Sequence, residues 1–170
     1  MSFSIDGKTV IVTGAANGIG AALARHFAEN GANVMCADID EKALKKDLGE
    51  SADDSNVRYF AGDLREKLTL ANLLSATVDA FDRVDVLVNA SRQVATTDPL
   101  DMEDETVEKL LQQNLMTSIR LSQMVAKRMI KQDEEQDHEF AGTIINLSSI
   151  AARLTQPELL AYSVSTAALE

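Results

Sequence analysis

The sequence predicts an α/β fold built on a parallel sheet with helices on both faces. Three observations support this. Short β-branched runs alternate with longer helical patterns. The first such run, Thr9 to Thr13 (TVIVT), lacks polar alternation, as expected of a strand buried on both sides. A glycine-rich turn, Gly14 to Gly20, follows it directly and opens into an apolar-striped helix.

The later elements follow the same alternation. Ile19 to Glu29 reads as a helix with Leu23, Phe27 and Ala28 inward, closed by the C-cap signal Asn30-Gly31. Asn33 to Ala37 is the second strand and Glu41 to Leu48 a short helix. Val57 to Ala61 is the third strand, and Glu66 to Phe81 a helix burying Leu70, Leu73, Leu74, Val78 and Phe81. Val84 to Val88 is the fourth strand, and a long helix is expected over roughly Glu103 to Lys131. The acidic stretch from Gln132 to Glu139 reads as a solvated loop. Thr143 to Leu147 is the fifth strand, and a last helix begins near Pro157 and still runs at Glu170. No repeat or linker divides the chain, so residues 1–170 are expected to form one nucleotide-binding domain. Its final helix lacks a cap or a following strand, the pattern of a short product or of part of a longer one.

Composition narrows the function classes. The chain has 170 residues, 45% hydrophobic and 25% charged, enough for a core without disulfide or metal staples. Acidic residues outnumber basic ones, 27 to 16, for a formal charge of −11. That field repels phosphate backbones and anionic lipid, so neither nucleic acid nor a membrane surface is an expected partner. The single cysteine, Cys36, forms no internal disulfide and reads as a small buried hydrophobe. The start, MSFSIDGKTVIVTG, has no basic region followed by a long apolar run, and no segment is apolar over membrane-spanning length. A cytoplasmic location is expected. His26 and His138 have no neighbours at ligand spacing, so no metal is expected, and Met124 and Met129 read as helix packing.

Gly14, Gly18 and Gly20, with Asn17 and Ile19 between them, let the backbone turn tightly and approach a pyrophosphate. The helix N-terminus then offers unpaired N–H groups and the positive end of its dipole. Asp38 closes the second strand, 24 positions beyond Gly14, where a carboxylate accepts hydrogen bonds from an adenosine ribose diol and repels a 2′-phosphate. This predicts a Rossmann-type, doubly wound sheet in the order 3-2-1-4-5, with NAD preferred over NADP.

The T-G-x-x-x-G-x-G spacing from Thr13 to Gly20 resembles the short-chain dehydrogenase/reductase family. Gly62-Asp63-Leu64 is similar to the family's adenine-contacting segment, which implies that the Asp63 side chain binds the base beside Leu64. The family's Asn-Asn-Ala-Gly reads Asn89-Ala90-Ser91-Arg92 here. The resemblance implies that Asn89 ties strand ends together and that the Asn89-Ala90 backbone borders the cofactor; Arg92 stands where the family has glycine.

The same resemblance points to three polar residues for the chemistry. Asn114, in line with Val107, Ser118, Leu121 and Val125, reads from the residues as a satisfied core amide, whereas the family implies that it holds a proton-relaying water. Ser149, 13 positions before Tyr162, would position the substrate oxygen, leaving Ser148 to turn chemistry. Tyr162 would be the acid/base and a cofactor contact. Only about one phenol in a thousand is ionised at pH 7, so a neighbouring cation is needed. The family supplies a lysine four residues on, but this chain has Thr166. The expected function is hydride transfer between NAD and a secondary alcohol or ketone, in a homodimer or homotetramer. The alternative is a non-catalytic NAD-binding scaffold, favoured by Thr166.

Overall fold

The computed structural model describes residues 4–48, 56–134, 141–154 and 156–170. Strands β1 (Thr9–Thr13), β2 (Asn33–Asp38), β3 (Val57–Ala61), β4 (Val86–Asn89) and β5 (Thr143–Asn146) pair in parallel. Their order is β3-β2-β1-β4-β5, as the sequence predicts. The helices are α1 (Gly18–Glu29), α2 (Glu41–Leu48), α3 (Lys67–Phe81), α4 (Thr106–Leu110), α5 (Thr117–Glu134) and α6 (Leu160–Ala167). Among the described residues no helix is long and apolar enough to cross a membrane.

Period-two alternation divides the strand residues between two cores. Val10, Val12, Val34, Cys36, Val86 and Val88 cluster with Ala24 of α1 and Leu44 of α2. Ile11, Met35, Ala37 and Leu87 point the other way, onto Leu70 and Leu73 of α3 and Leu121 and Val125 of α5. Every residue of β1 and β4 is buried, so hydrophobic burial on both faces sets their sequence. Each fully buried aliphatic side chain contributes roughly 1.5–3 kcal/mol. By contrast, β5 is an edge strand whose four residues are all exposed.

The N-terminal ends of the central strands meet at Asp85. Its Oδ2 accepts from the Thr9 amide at 2.8 Å, and its carboxylate takes the Arg83 guanidinium at 2.6 and 2.9 Å. The Asp85 amide donates to the Thr9 carbonyl at 2.8 Å, and its own carbonyl accepts from Thr143 at 2.9 Å, so one residue ties β1, β4 and β5.

The long helix departs from expectation. It starts at Thr106, opens into a π turn over Leu111–Met116, and continues to Glu134. Periodicity cannot show this widening, which carries the buried Asn114 described below. Gln132, expected in a solvated loop, is instead a buried residue of α5. Its amide exchanges two 2.9 Å hydrogen bonds with the Val84 main chain and accepts a third from Arg128. His138 and the acidic residues from 135 onward lie outside the described residues. The last helix is also shorter than expected. A 3-10 turn, Pro157–Leu159, precedes α6, which ends at Ala167, and Glu170 instead takes a forked contact from Arg153 at 2.8 and 3.0 Å.

Cys36 is buried as expected, and burial pushes its thiol up to about 12. Native protein should therefore leave Cys36 unmodified by a thiol-reactive disulfide at pH 8, with full reaction after denaturation. Asp85→Ala would orphan the buried Thr9 amide and release Arg83, lowering stability by about 2 kcal/mol. This should appear as an earlier chemical-denaturation midpoint at unchanged slope.

Candidate active site

The C-terminal ends of β1, β2, β4 and β5 open on one crevice of about 700 Å³, beside the β1–β4 junction where strand order reverses. Its shape depends on a hydroxyl. Thr13 Oγ1 accepts from the amides of Ala90 and Ser91, both at 3.1 Å, binding the end of β1 to the chain leaving β4. Gly14 adopts φ +69° there, and a Cβ on it would stand 2.7 Å from Ser91 Cα, so only glycine fits. A Cβ on Gly20 would overlap the Gly14 carbonyl, which explains the close approach of α1 to the turn.

The residues at this turn fit a pyrophosphate. Asn17 is the extended N-cap of α1 but makes no side-chain cap bond, and the first intrahelical bond runs from Ala21 to the Asn17 carbonyl at 3.1 Å. The amides of the first turn are therefore open to an anion. Gly18 has φ +55° and open space where a Cβ would be.

Asp38 lines the crevice from the end of β2. Its Oδ2 accepts from the Ala16 amide at 3.1 Å and its Oδ1 from the Asp40 amide at 3.0 Å, which fixes the carboxylate while leaving lone pairs on both oxygens for a diol. Ile39, two-thirds exposed, flanks it with an apolar surface. Across the crevice, Arg65 forks onto Asp63 at 2.9 and 2.5 Å and holds its carboxyl below the usual range. Leu64 is buried beside them.

The other end of the crevice carries Ser149 and Tyr162. Ser149 ends the loop after β5, and its Oγ accepts from the Ala151 amide at 3.2 Å, capping a 3-10 turn. Ser148 differs, since its hydroxyl donates to Glu170 at 2.7 Å. Tyr162 is mostly buried on α6, in a small cluster with Leu110, Ala151 and Ala161. Burial raises its phenol, but contacts with Ser149, Arg92 and Thr166 outweigh this and hold it below the ordinary value. Thr166 is buried and donates to the Tyr162 carbonyl at 2.5 Å, so its hydroxyl is turned back into the helix.

Ten of the residues singled out from sequence meet on the crevice wall: Gly14, Asn17, Ile19, Gly20, Asp38, Asp63, Leu64, Ala90, Ser149 and Tyr162. Three support it from behind. Gly18 shapes the turn. Asn89 donates to Asn146 at 2.8 Å and to Ser122 at 3.0 Å, tying β4, β5 and α5. Asn114 is buried with both side-chain polar atoms bonded: it accepts from the Gln93 amide at 2.8 Å and donates to the Gln93 carbonyl at 2.9 Å and to Ser165 at 3.1 Å. Sequence reasoning missed Ile39, Arg65, Arg92, Gln93 and Gln113 as wall residues. Ile39 and Arg65 carried a signal, standing one and two positions beyond acids already singled out, and Arg92 carried one as the residue in place of the family's glycine.

The sequence matches the short chain dehydrogenase family over residues 8–170. It is 33% identical to a D-threitol dehydrogenase of Mycolicibacterium smegmatis across 96% of this chain and 60% of that protein. It is 29% identical to an NAD-dependent glycerol dehydrogenase of Listeria innocua across 98% of this chain and 62% of the other. The fold superposes on a crystal structure of a Burkholderia phymatum short chain dehydrogenase/reductase in complex with NAD with a TM-score of 0.85. That pair shares 27% identity over 99% of this chain and 58% of the other. The chain thus spans about three-fifths of the length of these relatives. A match from residue 8 to residue 170, on a sheet whose reversal point carries this glycine turn, decides membership: the chain belongs to the short chain dehydrogenase family.

Proposed function

We propose that this chain binds NAD and carries the acid–base centre of an oxidoreductase acting between a secondary alcohol and its ketone. The observation that carries the reading is the shared crevice, with an uncapped helix N-terminus and Asp38 at one end and Ser149 and Tyr162 at the other. When bound, the nicotinamide supplies the hydride acceptor or donor.

The chain's own groups do the rest. The first-turn amides of α1 hold the pyrophosphate, and Asp38 accepts from the ribose hydroxyls, disfavouring a 2′-phosphate and so NADP. Ile39 and Leu64 give the adenine apolar walls beside the Asp63–Arg65 pair. Ser149 donates to the substrate oxygen, while Tyr162 takes the alcohol proton during oxidation and returns it during reduction. Asn114 steadies the wall through Gln93, whose amide takes one lone pair of its Oδ1, and the second lone pair is left to hold the relaying water. The lone cysteine supports a cytoplasmic location. A homodimer or homotetramer is the proposed assembly; Ile119 and Ile130 leave exposed apolar surface on α5.

A second reading, an NAD-binding scaffold without turnover, is favoured by Thr166, whose uncharged hydroxyl is bonded to the Tyr162 carbonyl. NAD binding with no oxidation of any secondary alcohol in a panel would select it.

Calorimetric titration should show NAD binding at least tenfold tighter than NADP. Asp38→Ala should weaken NAD by about 10- to 100-fold and erase that preference, the worth of one hydrogen bond to a charged group. Equal affinities in the unaltered protein would overturn the cofactor reading. Tyr162→Phe should lower turnover by about 10² to 10⁴ while shifting NADH affinity by less than about tenfold. Undiminished turnover would remove Tyr162 from the mechanism.

A further inference from the structure

A phenol that exchanges protons near neutral pH needs a positive charge beside it, and position 166 supplies none. The charged side chains on the crevice wall are Asp38, Asp63, Arg65 and Arg92. Asp38 faces the amides of Ala16 and Asp40, and Arg65 is committed to Asp63 by a fork. That leaves Arg92, on the segment after β4, which shares the crevice wall with Tyr162.

Arg92 is held there from both sides. The preceding residue, Ser91, donates its amide to Thr13 Oγ1, and the following residue, Gln93, has its amide and carbonyl gripped by the Asn114 side chain. Asp82 alone among the described non-glycine residues has positive φ, so the backbone at Arg92 does not need the glycine that the family has there. Its Nη2 is shut off from solvent without a hydrogen-bond partner among the described residues, so the guanidinium charge is not fully spent on the protein.

We propose that Arg92 is the cation of the acid–base pair in this chain, a positioning and activating residue that stabilises the Tyr162 phenolate from the β4 loop instead of from one helical turn along α6. The proton balance is simple. In oxidation the phenolate takes the alcohol proton and becomes phenol, while the guanidinium keeps its charge throughout. The groups acting on the phenol come from three elements: Arg92 after β4, Ser149 after β5 and Thr166 on α6 itself. Arg92 is the charged one of the three. Removing it leaves burial opposed only by two hydroxyls.

This inference deepens the reading of Tyr162 as acid/base, yet its test needs neither turnover nor cofactor. The chain has two tyrosines and no tryptophan, so Tyr59→Phe leaves Tyr162 as the sole source of tyrosinate ultraviolet absorbance. In that background Tyr162 should titrate below the ordinary phenol value. Arg92→Leu should move the titration upward by about one unit or more, roughly tenfold less tyrosinate at a given pH. Arg92→Lys should recover part of the shift, and circular dichroism checks that each variant is folded. A titration unmoved by Arg92→Leu would overturn the proposal. So would a Tyr162 that titrates at or above the ordinary value with Arg92 in place, a result that needs no Arg92 variant.

Discussion

The interaction on which the site depends is the Thr13 hydroxyl, which takes the amides of Ala90 and Ser91 where the strand order reverses. Any parallel sheet that reverses its winding leaves a gap at the strand ends, because the two following connections depart to opposite faces. Here the gap is narrowed from within. With the chain after β4 bound to the end of β1, Gly14 approaches Ser91 so closely that no side chain fits between them. The same contact sets the height of the β4 loop, and with it the positions of Arg92 and Gln93. A hydroxyl that orders the β1–β4 junction thereby also fixes the distance between the phosphate end of the crevice and its chemical end.

Asn114 extends this control across the molecule. A buried amide left unpaired costs about 1–3 kcal/mol, and here its groups are satisfied by the Gln93 main chain and by Ser165 on α6. The helix accommodates that inward grip by widening into a π turn at Leu111–Met116, and Ser118 takes the Asn114 carbonyl at 3.0 Å. One side chain thus joins the β4 loop, the long helix and the helix bearing Tyr162. Its location in the chain explains why a widened turn is tolerated in an otherwise regular helix: the backbone distortion is offset by satisfied polar groups on three elements.

Much of the fold was legible because burial writes itself into sequence with period two or 3.6. The five strands, their order and the nucleotide turn follow from TVIVT, the glycine spacing and Asp38. What could not be read depends on partners distant in sequence. Gln132 sits beside a run of acids that looks solvated, yet it is buried because Val84, 48 residues away, presents a bare main-chain pair. The π turn is silent in periodicity, and the Asn114 side chain within it is held by a contact with Gln93, 21 positions away. At the site, the acids and glycines announced themselves through spacing, whereas Arg92 did not. Read along the chain it only interrupts a motif; in space it lines the same crevice as a phenol 70 positions away.

Charge poses the last question, since a chain of net charge −11 is proposed to hold an anionic dinucleotide. Net charge acts over the Debye length, about 8–10 Å at ordinary ionic strength, while the recognition contacts act at hydrogen-bond distance. At the phosphate end the protein presents dipoles, the uncapped amides of α1, and no cation is needed there. On the wall Arg65 is matched by Asp63, so the adenine end is close to neutral. The unneutralised cation on the described crevice wall is then Arg92, which shares that wall with Tyr162, where the proposed proton transfer would develop charge. An acidic surface, with one of the two crevice guanidiniums unmatched by an acid among the described residues, separates the two electrostatic tasks. Dipoles bind the cofactor without adding a counter-charge, and the arginine's field is left to act on the phenol.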